Sequence, residues 1–251
     1  MTLRKSTLIV LALLLLLSSA SGPSACTSFR LQTDRGPFFV HSLNQGNLPS
    51  VPGLVFVNPR GEHACAVGLT QPIEVHIDGH IGYYCAGMNQ KAKVVIHGQC
   101  GVGVAENMMS GEVVVKGTAS AAAGATGQGG LLVIEGDAGT RCGISMKGID
   151  IVVKGSVGAM SAFMAQSGSL VVCGDAGANL GDSIYEARLY VQGKVESLGA
   201  DCVEKTMTPH HLAKLARLLK AAGVDADPKG FKRYGSARKL YNFHIDNVDA
   251  Y

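Results

Sequence analysis

The sequence predicts an all-β fold, a parallel β-helix of seven or eight coils closed by a C-terminal helix, and two regularities carry that prediction. Gly79, Gly98, Gly117, Gly136, Gly155, Gly174 and Gly193 stand nineteen residues apart. The residues four and two positions before each of them are aliphatic in every case, from Val75 and Ile77 to Leu189 and Val191. A fixed period of about 20 residues marks a stacked repeat, and alternation with period two marks a strand. Nineteen residues at roughly 3.3 Å each make a contour of about 60 Å, enough for one three-sided coil and too short for a strand-plus-helix unit.

The elements follow in chain order. In residues 1–25, Arg4 and Lys5 precede the apolar run from Leu8 to Leu17 and then Ser18, Ser19 and Ala20, the layout of a secretory signal peptide. Its ten apolar residues fall short of the roughly 20 a stable membrane span needs, so the expectation is a secreted or periplasmic protein. Residues 26–61 form a separate segment opened by Cys26. Within it Val55, Val57 and Gly61 repeat the coil pattern with a one-residue slip, predicting an imperfect eighth coil.

Residues 62–205 make the glycine-repeat domain. The residue before each repeat glycine is Asp78, His97, Lys116, Glu135, Lys154, Cys173 or Gln192, mostly polar and therefore outward. Two further columns are small. Gly82, Gly101, Ser120, Gly139, Gly158, Gly177 and, at the last coil, Glu196 lie three positions past the glycine, and Ala86, Ala105, Gly124, Gly143, Ala162, Gly181 and Ala200 lie seven past. Small residues suit corners with positive φ or close approach of successive coils.

In residues 206–251, Thr208 caps a helix that begins at Pro209 and stops at Gly223. Its predicted apolar stripe is Leu212, Leu215, Ala216, Leu219 and Ala222, which needs the open end or the flank of the solenoid to cover. Phe231 to Tyr251 interleaves Lys232, Arg233, Arg238 and Lys239 with Tyr234, Tyr241, Phe243 and Tyr251. That mixture suits a subunit contact as well as it suits a solvated tail.

Composition and cysteine usage narrow the function classes. The 251 residues are 47% hydrophobic and 16% charged with a net charge of +3, and the basic residues gather after position 204 instead of forming a face on the coils, which argues against nucleic acid as partner. The seven cysteines form no CxxC pair. Cys85 and Cys142 share a column three coils apart, about 14 Å, beyond the reach of a disulfide. Structural thiols are expected. His76, His80 and His97 occupy different columns, which predicts surface imidazoles and no metal site. With no recurring carboxylate pair, the coils read as scaffold without a cofactor of their own.

The stretches NPRGEHACAVGL (58–69), GHIGYYCAGMN (79–89), GVAENMMSG (103–111), GLLVIEGDAGTRCGISMKGIDIVVKGSVG (130–158) and GDSIYEARLYVQG (181–193) resemble the glycine-repeat domain that closes the large subunit of glutamate synthase. They are still more similar to the β-helix subunit of N-methylglutamate synthase. The resemblance implies a right-handed β-helix acting as a non-catalytic structural subunit. Its partners would be a flavin-containing synthase subunit, holding FMN and an iron–sulfur cluster, and a glutaminase-type amidotransferase subunit. The assembly would form N-methylglutamate from glutamate and methylamine, in the cytoplasm as for those relatives.

From Cys26, CTSFRLQTDRGPFFVHSLNQ and then PGLVFVNPRG resemble the start of the penicillin V acylase and choloylglycine hydrolase family. That resemblance implies an exported amide hydrolase with Cys26 as N-terminal nucleophile, its own amino group serving as base. His41 and Asn44 stand where that family usually has arginine and aspartate. The two resemblances meet at NPRG (58–61), as a natural fusion or as a composite joined at that shared string. An exported β-helix binding module is the third reading.

Overall fold

The computed structural model describes residues 28–33, 36–41 and 53–240. The segment read as a signal peptide, Cys26, Tyr241, Phe243 and Tyr251 lie outside the described residues. Strands β1 (Ser28–Thr33) and β2 (Gly36–His41) pair antiparallel as a two-stranded sheet. A ten-stranded sheet holds the rest: β3 (Gly53–Val57), β4 (Glu74–Asp78), β5 (Lys93–Ile96), β6 (Glu112–Val115), β7 (Leu131–Ile134), β8 (Lys147–Val153), β9 (Ser167–Val172), β10 (Arg188–Val191), β11 (Cys202–Lys205) and β12 (Lys232–Ser236).

From β3 to β10 every neighbouring pair is parallel, and from β4 onward the register advances by the repeat, Val94 onto Val113, Val113 onto Leu132, Leu132 onto Ile151. This is one side of a β-solenoid of about seven turns. The fourteen aliphatic residues of the paired columns are all buried, none more than 1% exposed. A second side is held by single parallel bridges from Ile81 to Cys100, Ala119, Ala138, Val157, Ala176 and Val195. These also point into the core.

The repeat glycines are required by proximity and not by φ, since only Gly79 among them has a positive value. From Gly117 onward each N–H donates to the preceding repeat glycine's carbonyl, as in Gly117 N to Gly98 O at 3.1 Å and Gly174 N to Gly155 O at 2.8 Å. A Cβ on Gly117 would sit 2.7 Å from that same oxygen. The column seven past does have positive φ, from Ala86 (54°) to Gly181 (67°), and faces inward.

The solenoid begins inside the segment set apart at 26–61. β3 pairs with β4 in a register that puts Leu54 opposite Val75 and Phe56 opposite Ile77. Phe56 packs against the core and Val57 is exposed, so Val55 and Val57 stand one position off the paired columns. The connection from β3 to β4 is two residues longer than a standard coil, which moves the pattern out of the nineteen-residue frame.

Helix α1 (Pro209–Ala221) starts after Thr208, with the backbone N–H of Thr208 donating to His211 Nδ1 at 3.3 Å. Gly223 ends it with a φ of +65°. Its buried residues are Leu215, Leu218, Leu219 and Ala222, spaced i, i+3, i+4, i+7. Ala216, placed on the stripe by the sequence reading, is exposed and Leu218 is buried in its stead. The helix covers the flank of the sheet, packing on Val95, Val114, Val133, Val152, Val171 and Tyr190. Those are the middle residues of the strands, so the sheet is buried on both faces.

The segment after α1 is part of the fold, against the expectation that it lies beyond the core. β12 pairs antiparallel with β10 and with β11. Tyr234 belongs to the solenoid core at 6% exposure, and Phe231 packs with α1. The last parallel edge needs a partner, and β12 supplies it.

Candidate functional site

The coil corners carry a polar ladder absent from the sequence reading. At four of the coils the residue after the repeat glycine accepts, through its side chain, the backbone N–H of its counterpart in the next coil. His80 Nδ1 accepts from Gln99 N at 3.1 Å, Asp137 from Ser156 N at 2.7 Å, Ser156 from Asp175 N at 3.0 Å and Asp175 from Lys194 N at 2.7 Å. These amides have no carbonyl across the corner, and the acceptor side chains satisfy them. The signal was a column of acceptor-bearing residues one position past the glycine.

One position before the glycine, Glu135 accepts from Lys154 at 2.9 Å and Lys116 at 3.0 Å. The hydrogen bond from Lys154 above all holds its carboxyl below the ordinary glutamate value. Nearer the first coil, Glu74, His76 and His97 form a chain. His76 Nε2 lies 3.1 Å from Glu74 Oε1 and its Nδ1 lies 3.0 Å from His97 Nε2. His76 and His97 meet although they occupy different columns, because their columns adjoin diagonally across adjacent coils. With the two ring nitrogens aimed at one another, this is a proton-sharing contact. Among the described residues no group of three or more His, Cys, Asp or Glu side chains is arranged to hold a metal ion.

The six described cysteines are free thiols. Burial pushes Cys100, Cys142 and Cys202 up to about 12 and raises Cys85 as well, so they pack as small apolar residues and not as nucleophiles. Beneath the start of α1, Lys214 Nζ lies 3.0 Å from Asp150 Oδ1. The buried Tyr190 phenol is raised by desolvation. His211 is lowered by desolvation and then by Arg233 and Arg188.

The third side of the solenoid is built differently. At the fifth, seventh and ninth positions past each repeat glycine from Gly79 to Gly174 φ is positive, in the first full coil at Tyr84 (60°), Ala86 (54°) and Met88 (55°). The amides point alternately to the two neighbouring coils, Tyr84 N to Val102 O and Met88 N to Glu106 O one way, Ala86 N to Cys65 O the other. The fourth and ninth positions lie towards the surface and the sixth and seventh inside, while the fifth and eighth vary, with Gly87, Gly103 and Ala125 buried. Tyr83, Tyr84 and Met88 are each about half exposed on this side.

No family model matches this chain, and no solved structure matches it. It is 63% identical over 213 residues to Protein GlxC of Rhizobium meliloti (strain 1021), a match that spans 84% of this chain and 92% of that one. The chain belongs to the GlxC family. The β-solenoid described above is thus the architecture of a GlxC family member, and none of its described helices is long and apolar enough to cross a membrane.

Of the residues singled out in the sequence, the seven repeat glycines come together as one corner stack. Cys26 lies outside the described residues. Tyr234 goes to the core, while Arg238 pairs with Glu186 at 2.8 Å on the surface.

Proposed function

We propose that this GlxC family protein is a non-catalytic structural subunit of a glutamate synthase-like complex of the N-methylglutamate synthase type. The observation that carries the reading is where the repeat's side chains go. Inward positions fill the core, corner acceptors hold backbone amides, and four of the six described thiols are buried, so the regular chemistry of the coils serves stacking. The resemblance of the glycine-repeat stretches to the β-helix subunit of N-methylglutamate synthase supplies the partners, a flavin- and iron–sulfur-containing subunit and a glutaminase-type amidotransferase subunit.

Co-expression with such subunits, encoded beside this gene, tests the proposal. The expected result is co-purification, with N-methylglutamate formation by the assembly and neither flavin binding nor amide hydrolysis by the isolated chain. Hydrolysis of penicillin V by the isolated chain that disappears in Cys26→Ser would overturn it in favour of the exported amidase.

A further inference from the structure

We propose that the start of helix α1 roofs a binding site for an oxyanion of the phosphate class, built on Arg188, Arg233, Tyr190 and Ser169. Strand register brings these side chains together. Tyr190 lies opposite Arg233 across β10 and β12, and Arg233 lies opposite Lys205 across β12 and β11. Arg188 stands two residues before Tyr190 in β10, and therefore on the same face, opposite Ser169 of β9. Ser169 and Tyr190 are thus diagonal neighbours on adjacent coils, the relation that brings His76 and His97 into contact. This is the face that α1 covers, where Tyr190 shares an apolar cluster with Leu215.

The chain leaves this place short of acceptors and of negative charge. Tyr190 and Ser169 are fully buried, and neither hydroxyl has a hydrogen-bond partner among the described residues, whereas buried hydroxyls are ordinarily paired. Burial first, and then Arg188, Arg233 and Asp150, act on the Tyr190 phenol, and Asp150 is already committed to Lys214 at 3.0 Å. Arg188, Arg233 and Lys205 are partly buried and make no ion pair with a described residue. Arg233 uses only its Nε–H, donated to Thr206 O at 3.0 Å. Burial lowers Arg233 and the neighbouring Arg188 lowers it further, so two partly desolvated like charges are held together with nothing to neutralise them.

The roof adds donors. Thr208 N–H donates to His211 Nδ1 at 3.3 Å, so in the neutral ring Nε2 carries the proton and is the donor. Arg233 and Arg188 both act on His211, after burial, which places the ring beside the arginine pair. Helix α1 is thirteen residues long, and the positive end of its dipole falls at the same place. Two guanidinium groups and two hydroxyls, all able to donate, match the several acceptor oxygens of a phosphate. A dianion neutralises the arginine pair, where a single carboxylate would leave half of it uncompensated. Inorganic phosphate and a phosphate monoester present the same group. The site is independent of the assembly proposed above.

Thermal melting of the full chain by circular dichroism tests the proposal, at about pH 8, where the phosphate group is dianionic, with ionic strength held constant by sodium chloride. Inorganic phosphate should raise the Tm saturably above the chloride baseline. Arg188→Gln and Arg233→Gln should each raise the saturating phosphate concentration by about tenfold or more. Tyr190→Phe keeps the ring in its apolar surroundings and removes only the hydroxyl, so it should fold at least as well and still weaken the phosphate response by several-fold. Arg217→Gln, at an exposed position of α1, should leave the response unchanged. Glycerol phosphate is run beside inorganic phosphate: saturation by either supports the site, and the one that saturates at lower concentration names the source. A Tm that phosphate raises no more than chloride does overturns the proposal. So does a response that the three site variants leave unchanged, one that Arg217→Gln weakens as much as they do, or acetate that acts as well as phosphate.

Discussion

Replacing Gly117 by alanine isolates what the nineteen-residue glycine column is for. Gly117 does not have a positive φ, so alanine can adopt its backbone conformation without strain and any loss must come from proximity. The new methyl would lie 2.7 Å from Gly98 O, 3.0 Å from Gly98 C and 3.2 Å from Gln99 Cγ. The first of these is backbone that is itself accepting from Gly117 N at 3.1 Å, so relief means parting two coils and weakening the hydrogen bond that joins them. Overpacking costs about 1–3 kcal/mol and a lost backbone hydrogen bond about 1 kcal/mol, together about 2–4 kcal/mol. For a chain of this size that corresponds to a fall in Tm of about 5–15 °C, read by circular dichroism. Gly230→Ala is the control, because its nearest neighbour would be Gln192 Nε2 at 3.8 Å and its expected effect is within about 0.5 kcal/mol. Equal melting of the two variants would refute the steric account of the repeat.

Three further outcomes are expected. Val153→Asp buries an unpaired carboxylate at a fully buried site and should cost several kcal/mol, whereas Lys154→Ala loses one partly exposed ion pair and should cost under about 1 kcal/mol. Comparable Tm losses would mean the two faces are misassigned. Because Glu135 is held below its ordinary value of 4.5, its contribution is present above that pH and lost as pH falls through the depressed value. The acid limb of a pH–stability curve should therefore flatten in the double variant Lys116→Ala, Lys154→Ala. Truncation after Gly223 removes Phe231, Tyr234 and the strand that closes β10. Chemical denaturation should show a large loss of stability or an insoluble product, and Tyr234→Ala alone should cost about 3 kcal/mol. A truncated chain as stable as the full one would contradict the core position of Tyr234.

The aliphatic pairs and the glycine column were legible because they repeat with a period no other element shares, and Thr208, Pro209 and Gly223 announced the helix through local rules. The outward burial of Val95, Val114, Val133, Val152 and Val171 was equally visible as unbroken runs such as VVI and IVV, but outward was equated with solvent. What no local rule contains is β12. KRYGS has neither alternation nor a turn signal, and its partners in β10 and β11 are set by the open edge of the last coil. The positive φ of Tyr84, Met88, Arg141 and Met160 also runs against residue preference. It is imposed by hydrogen bonds to the coils on either side, which the sequence of one coil does not record. The chain of Glu74, His76 and His97 escaped for a related reason, since neighbours across a solenoid wall lie on diagonals as well as in columns.

Helix α1 acts as a caliper. Its thirteen residues measure about 20 Å, and the apolar column beneath it runs from Tyr190 back to Val95 over six coils, about 24 Å between the ends. At the next coil the same position is His76, which needs no cover. Adding one turn to the middle of the array would push a valine past the helix end, and removing one would leave leucines with nothing to sit on. Tandem repeats ordinarily drift in copy number, because each unit is bounded only by units like itself. Here one non-repeating helix holds the count fixed, and the length of the array becomes a quantity that selection on α1 can hold constant.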